Sequence, residues 1–114
     1  METIRFYFPL FRGFVWRSGK LADLPPLPGC DESRALGVND GGWAVGSCRR
    51  TENYGQSRAT LWQGGKPLAL DTLVFLRGWK LAEALAINSH EQILCTARDA
   101  KGNSRSVLLT PMRR

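Results

Sequence analysis

An internal duplication constrains the fold of this chain more than any other feature of its sequence. Residues 12–27, RGFVWRSGKLADLPPL, align without gaps on residues 58–73, RATLWQGGKPLALDTL, at an offset of 46. Residues 33–49 then align on residues 82–98 at an offset of 49, and residues 55–58 on residues 102–105 at an offset of 47. Because the changes of length fall in loop-like stretches, we interpret the chain as two full copies of a repeat and the start of a third.

The copies set the domain organisation that we predict. We expect a single all-β repeat domain over residues 1–114, which is a length that suits one domain. Within it we place an N-terminal strand in 1–11, repeat 1 at 12–57, repeat 2 at 58–104, and a partial repeat strand with a basic tail at 105–114. The hydrophobic fraction of 43% is ordinary for a globular protein and excludes a disordered composition.

Each copy has the pattern of four short antiparallel strands, because short apolar runs alternate with turn residues. We predict strands at 14–16, 20–24, 35–38 and 43–48 in the first copy, at 61–62, 66–70, 84–87 and 92–97 in the second, and a last strand at 105–111. Ser18-Gly19 and Gly64-Gly65 suit tight hairpin turns. Asn39 and Asn88 are predicted turn formers, because asparagine tolerates the left-handed region and binds its own backbone.

The fold class that follows is all-β: two tandem four-stranded antiparallel meander repeats, plus a terminal strand at each end. A four-stranded unit repeating every 46 residues or so has the size of one β-propeller blade. One such sheet has two apolar faces and must stack on neighbours. Since propellers close with about four to eight blades, three arrangements stay open: a fragment of a longer protein, copies assembled through their sheet faces, or a small sandwich or open barrel.

The repeat units resemble the HAF-type repeat of predicted bacterial extracellular proteins, whose units read approximately His-Ala-Phe-Leu-Trp, Asp-Leu-Gly-Thr-Leu and Ala-x-x-Ile-Asn-x-x-Gly-x-Val-Val-Gly. The corresponding segments are RGFVW, DLPPL and ALGVNDGGWAVG in the first copy, and RATLW, ALDTL and ALAINSHEQILC in the second. The resemblance covers residues 12–110, although arginine replaces the leading histidine in every copy. It implies propeller-like repeats, secretion and no established enzymatic activity. Against secretion, residues 1–11 show no signal-peptide pattern.

Candidates for catalysis or metal binding are few. His90 is the only histidine, and we predict that it is an exposed turn residue. The three cysteines, Cys30, Cys48 and Cys95, form no CxxC motif, so we expect neither a zinc site nor a redox pair and at most one internal disulfide. Asp31-Glu32, the only adjacent acidic pair, is predicted to be solvated. We therefore expect no catalytic residue, no metal and no cofactor.

Binding residues are better candidates than catalytic ones. The formal net charge is +6, but the basic residues are spread along the chain without a long run. Arginines recur at equivalent repeat positions and would form rows facing a polyanion. In the alternative interpretation, each arginine covers an apolar strand edge with its stem and faces water. Our candidate binding residues are Arg12, Arg58 and Arg105 in one row, Arg49 and Arg98 in a second, and Trp79 as a stacking aromatic.

The sequence as a whole predicts a non-catalytic β-repeat binding or interaction module that self-associates or joins a larger repeat assembly. Two alternatives stay open: an anion- or nucleic-acid-binding protein that uses its repeated arginines, and a truncated remnant of a longer extracellular repeat protein. No apolar stretch approaches the roughly 20 residues that span a bilayer, so we expect no membrane span.

Overall fold

The fold is all-β, as predicted. The computed structural model describes the backbone of residues 3–5, 13–17, 20–52 and 57–112, and the side chains of residues 24–52 and 57–112. These ranges hold ten strands and one turn of 3-10 helix at Leu70–Thr72. The strands are β1 (Thr3–Arg5), β2 (Gly13–Arg17), β3 (Lys20–Leu24), β4 (Glu32–Val38), β5 (Ala44–Arg49), β6 (Ser57–Gln63), β7 (Lys66–Ala69), β8 (Trp79–Ile87), β9 (Ile93–Asp99) and β10 (Ser104–Leu109).

The strands form three antiparallel sheets. The N-terminal sheet has the order β1-β2-β3, the middle sheet β4-β5-β6-β7, and the C-terminal sheet β10-β9-β8. Every strand in them pairs with its neighbour in sequence. The terminal strands that we predicted at the two ends of the chain are β1 and β10, which add to β2 and β9 respectively.

The sheets divide the chain at different points from the sequence copies. The middle sheet joins the last two strands of the first copy, β4 and β5, to the first two strands of the second, β6 and β7. The breaks fall after β3, where the chain continues with Pro25 and Pro26, and after β7, where the 3-10 helix follows. Proline has no N–H for a ladder, so the chain leaves the N-terminal sheet after Leu24 rather than at the copy boundary.

Two hairpins of different sheets share one register. Ala35 faces Gly46 in β4–β5, and Ala84 faces Cys95 in β8–β9, at the same offset of 49 as in the sequence alignment. Each hairpin then has a bulge at the next residue, which is Leu36 or Leu85. The shared register runs from Glu83 to the turn, because β8 has a second bulge at Ala82 that β4 lacks. The pairing of β4 with β5 therefore supplies a direct reference for the pairing of β8 with β9.

The turns of these hairpins use the chemistry that we predicted. Asn39 Oδ1 accepts a hydrogen bond from the N–H of Trp43 at 3.0 Å, and Asn88 Oδ1 accepts one from the N–H of Gln92 at 2.9 Å. The Gly64-Gly65 turn is also confirmed, since φ is 58° and 80° at its two residues. Two consecutive positive φ values are the signature of a type I′ hairpin turn, which favours glycine.

The middle sheet is buried on both faces, which makes it the core of the molecule. Its face toward the C-terminal sheet contributes Val45, Ala59 and Leu61 to one cluster. With Leu70 of the 3-10 helix, they pack against five residues of the C-terminal sheet: Leu81, Ala84, Ile93, Cys95 and Ala97. Its opposite face contributes Ala35, Ala44 and Trp62, which pack with Leu24, and Cys48 and Ala69, which pack with Leu27 and Cys30. The middle and C-terminal sheets thus stack face to face, and the opposite face of the middle sheet is covered by Leu24 at the end of β3 and by Leu27 and Cys30 of the segment that follows.

Trp62 anchors the connection between β3 and β4. Its side chain is only 1% exposed, and its indole N–H donates a hydrogen bond of 2.7 Å to the carbonyl of Pro25. This supports a packing role for the repeated tryptophan. The side chain of its sequence counterpart, Trp16, lies outside the described residues.

Candidate interaction surface

The side of the C-terminal sheet that points away from the middle sheet is a candidate interaction surface. Along β9, Ile93, Cys95 and Ala97 are buried in the core, whereas Leu94 between them is 38% exposed. Leu94 pairs with Leu108 of β10, which is 58% exposed. Paired residues point to the same side of a sheet. We call this side the outer face; it consists of Lys80, Glu83, Ala86, Leu94, Thr96, Arg98, Ser104, Ser106 and Leu108, with the bulged Leu85 beside it.

The outer face corresponds to a face that is covered elsewhere in the same molecule. By the repeat alignment, Leu94 is equivalent to Val45 and Leu108 to Leu61. Val45 and Leu61 are buried in the core cluster between the middle and C-terminal sheets. The same positions are therefore apolar in both sheets, and in the middle sheet another sheet packs on them.

The hairpin turns show the same relation. Asn39 donates a hydrogen bond from Nδ2 to the backbone carbonyl of Asn88 at 3.1 Å, which links the turn of the middle sheet to that of the C-terminal sheet. The equivalent amide of Asn88 donates to Oε1 of Gln92 at 2.9 Å, an exposed contact within its own turn. The side-chain amide of Asn88, which is the sequence equivalent of the Asn39 donor, thus binds within its own turn.

The predicted arginines are mostly engaged with acidic side chains. Arg58 lies 3.4 Å from Asp71, Arg98 lies 3.3 Å from Glu83, and Arg49 lies 3.7 Å from Glu32. Our prediction that Glu32 is solvated is wrong, because its side chain packs within β4 and Glu32 is only 4% exposed. A buried carboxylate requires a compensating charge. The Arg49 guanidinium supplies that charge. Arg12, the first arginine of the first row, lies outside the described residues.

Arg105 has a different partner from the other arginines. Its guanidinium carbon lies 4.4 Å from the ring centroid of Trp79, a cation–π distance. Trp79, our candidate stacking aromatic, is the first residue of β8 and packs against the core cluster.

The two rows of arginines do not share one sheet. Arg58 is the second residue of β6 in the middle sheet, and Arg105 is the second residue of β10 in the C-terminal sheet. Arg49 and Arg98 lie near the ends of β5 and β9 in the same two sheets. Binding of a polyanion by these residues stays a prediction.

Two of the cysteines meet in space although their spacing in sequence indicates no pair. The sulfur atoms of Cys30 and Cys48 lie 2.7 Å apart, and Thr60 Oγ1 lies 3.5 Å from the Cys48 sulfur. Cys95 is buried separately, in the cluster between the middle and C-terminal sheets. Burial raises the pKa of the Cys30 thiol to about 12 and that of the Cys95 thiol to about 11, so both are protonated at neutral pH.

Sequence reasoning missed this pair for a geometric reason. In the β4–β5 ladder, Ser33 and not Cys30 is the residue opposite Cys48. Cys30 reaches the sulfur of Cys48 because the chain turns at Gly29, whose φ is 90°, and the Cys30 N–H donates to the carbonyl of Leu27 at 2.9 Å. The Pro-Gly-Cys segment at 28–30 is a turn signal that could have suggested this approach.

His90 is exposed in the β8–β9 turn, as predicted. Among the residues whose side chains are described, no group of three or more His, Cys, Asp or Glu is arranged to hold a metal ion. The helical content of the described chain is the single 3-10 turn, and none of it is long and apolar enough to cross a membrane.

The fold and the outer face define a class: an all-β protein of antiparallel sheets in which the C-terminal sheet presents the paired leucines Leu94 and Leu108 among polar residues. Comparison with family models, curated proteins and solved structures found no match to this chain.

Proposed function

We propose that this chain is a non-catalytic β-repeat interaction module, and that the outer face of its C-terminal sheet binds a second copy of the chain. One observation carries the proposal: Leu94 and Leu108 occupy the positions at which Val45 and Leu61 of the middle sheet are covered by another sheet. A surface built to the pattern of a sheet-binding face fits a sheet of the same protein better than an unrelated ligand.

The size of the face sets the expected affinity. Three strands about 4.8 Å apart, with about six residues each at about 3.4 Å per residue, give a face of roughly 300 Å². Stable complexes bury about 800 Å² per partner. Self-association through this face is therefore weak and reversible, and depends on protein concentration.

Its composition agrees with a face that is covered part of the time. The leucines are flanked by Ser104, Ser106 and Thr96, small polar residues that tolerate water. The ion pair of Arg98 with Glu83 lies on the same side. Interfaces of transient complexes combine an apolar centre with such a polar rim.

Sedimentation velocity over a wide concentration range tests the proposal. The wild type is expected to sediment faster as its concentration rises. L94K and L108K should stay monomeric, because association would bury the charged lysine against the leucines of the second copy. The matched control is L73K, since Leu73 is 60% exposed but lies outside the C-terminal sheet. A wild type that is monomeric throughout, or an L73K variant that loses association equally, would contradict the proposal.

The repeat interpretation and the HAF-type resemblance add to this proposal. The blades of propeller-like repeat proteins pack face to face, and the packing of the middle sheet against the C-terminal sheet supports the proposal that this chain uses the same kind of contact. We retain extracellular location and membership of a longer repeat assembly as proposals implied by the resemblance. The alternative of a polyanion site receives less support, because Arg49, Arg58 and Arg98 face carboxylates of the same chain.

A further inference from the structure

We propose that Cys30 and Cys48 are a modification site, at which a small-molecule disulfide such as oxidised glutathione forms a reversible internal disulfide. The two sulfur atoms are already 2.7 Å apart. A disulfide bond is about 2.05 Å long, so the sulfurs need to approach by less than about 1 Å. This proposal is independent of self-association through the outer face.

The surroundings hold both thiols in this position. Cys48 lies within β5 and is 2% exposed. Cys30 ends a segment that is anchored twice: the indole of Trp62 binds the carbonyl of Pro25, and the side chain of Leu27 packs beside Cys48. The pair therefore results from the packing of the proline-rich segment 25–30 on the middle sheet, and not from a flexible encounter.

The chemistry proceeds by two thiol–disulfide exchanges. The Cys30 thiolate, which is the more exposed, attacks one sulfur of oxidised glutathione, forms a mixed disulfide and releases one glutathione thiolate. The Cys48 thiolate then attacks the Cys30 sulfur and releases the second glutathione. The protein loses two protons and two electrons in total, and the electrons reduce one glutathione disulfide to two glutathione thiols.

The rate and the consequence follow from the site. Because burial raises the pKa of the Cys30 thiol to about 12, little thiolate is present at neutral pH and the reaction accelerates as the pH rises. The product ties the segment 25–30 covalently to β5. Oxidation thus fixes the cover of the middle sheet on the side opposite the C-terminal sheet.

Thiol counting by mass spectrometry tests the site. The protein is equilibrated with excess oxidised glutathione at mildly alkaline pH, denatured in acid, and alkylated with N-ethylmaleimide. We expect one alkylated cysteine, Cys95, and a chain that is lighter by two hydrogens. Peptide mapping should place the bond between Cys30 and Cys48. Three alkylated cysteines, or a bond that includes Cys95, would overturn the proposal.

Two variants sharpen this test. In C48A the second thiol is replaced by the residue found at the equivalent Ala97, and we expect glutathione to remain attached to Cys30. The control C95A should form the same internal disulfide as the wild type and leave no thiol for alkylation. An unmodified Cys30 in C48A, or loss of the disulfide in C95A, would count against the site. The wild-type count is decisive even if a variant fails to fold.

Discussion

Replacing Trp62 by phenylalanine should destabilise the protein by about 2–4 kcal/mol. The indole N–H donates to the carbonyl of Pro25 at 2.7 Å, and W62F leaves that buried acceptor without its donor, at a cost of about 1–3 kcal/mol. The lost ring also leaves a cavity of a few tens of Å³, which at about 24 cal/mol per Å³ adds about 1 kcal/mol. The two terms add because phenylalanine can replace neither the bond nor the volume.

Thermal unfolding followed by circular dichroism measures this cost. For 114 residues, an unfolding entropy of about 2.1 cal/mol/K per residue converts about 2–4 kcal/mol into a Tm loss of about 8–16 °C. The control is W43F, because Trp43 is only half-buried and packs at the edge of the other core cluster. We expect it to cost about 1 kcal/mol. A Tm of W62F within 3 °C, on the order of the error, or a larger loss in W43F, would refute the anchoring role.

Two glycines and one aspartate give further predictions. In G46A the added Cβ would overlap the carbonyl oxygen of Arg34 across β4–β5, so we expect a loss of about 3 kcal/mol in urea unfolding. In G102A the new Cβ meets nothing within 4 Å but φ is 85°, so the loss should be backbone strain alone, about 1 kcal/mol; equal losses in the two variants would contradict this distinction. The Asn103 side chain holds the pKa of Asp99 below its ordinary 3.8, so the stability this carboxylate contributes is present above pH 3.8 and is lost as the pH falls through the lower folded pKa. D99N keeps a side-chain oxygen that accepts the turn hydrogen bonds, as Asn88 Oδ1 does in its own turn, but it has no carboxylate to protonate. Between about pH 4 and pH 2, its Tm should therefore fall less than that of the wild type. Equal Tm losses would contradict the assignment.

The strands and turns were predictable because they are encoded locally. The predicted strand 20–24 coincides with β3, since in the sequence this short, largely apolar run lies between the turn-forming dipeptide Ser-Gly and a proline. Asn39 and Asn88 form the expected turns because their own side chains bind the next backbone N–H groups. These hydrogen bonds join residues less than about five positions apart, and short sequence patterns are able to predict structure over such distances.

The grouping of strands into sheets was not predictable in the same way. The copy alignment places β2 to β5 together, whereas the segment after Leu24 breaks the ladder and β5 instead pairs with β6 of the next copy. After a loop, the next strand can join the same sheet or a different one. Packing between sheets decides this, as when Trp62 of the middle sheet binds the segment after β3. The aligned segments are recognisable in the sequence, but nonlocal contacts of this kind determine where one sheet ends and the next begins.

The candidate site shows the same division. The apolar residues of the outer face follow from alternation along β9, but their exposure depends on the order of the sheets in the stack. The approach of Cys30 to Cys48 depends on one turn at Gly29 and on the packing of Leu27. Arg58 and Arg98 were identified by their recurrence, whereas their carboxylate partners, Asp71 and Glu83, have no recurring signal.

The accessibility of position 108 tests the central claim most directly. In a C30A background, the thiol of L108C lies on the outer face, while that of L73C lies outside the C-terminal sheet. The rate of thiol labelling is measured at increasing concentrations of each protein. Binding of a second copy predicts that L108C is labelled more slowly as the protein concentration rises, and that L73C is labelled at a constant rate. A rate for L108C that does not change with concentration, or equal slowing of both, would contradict the account.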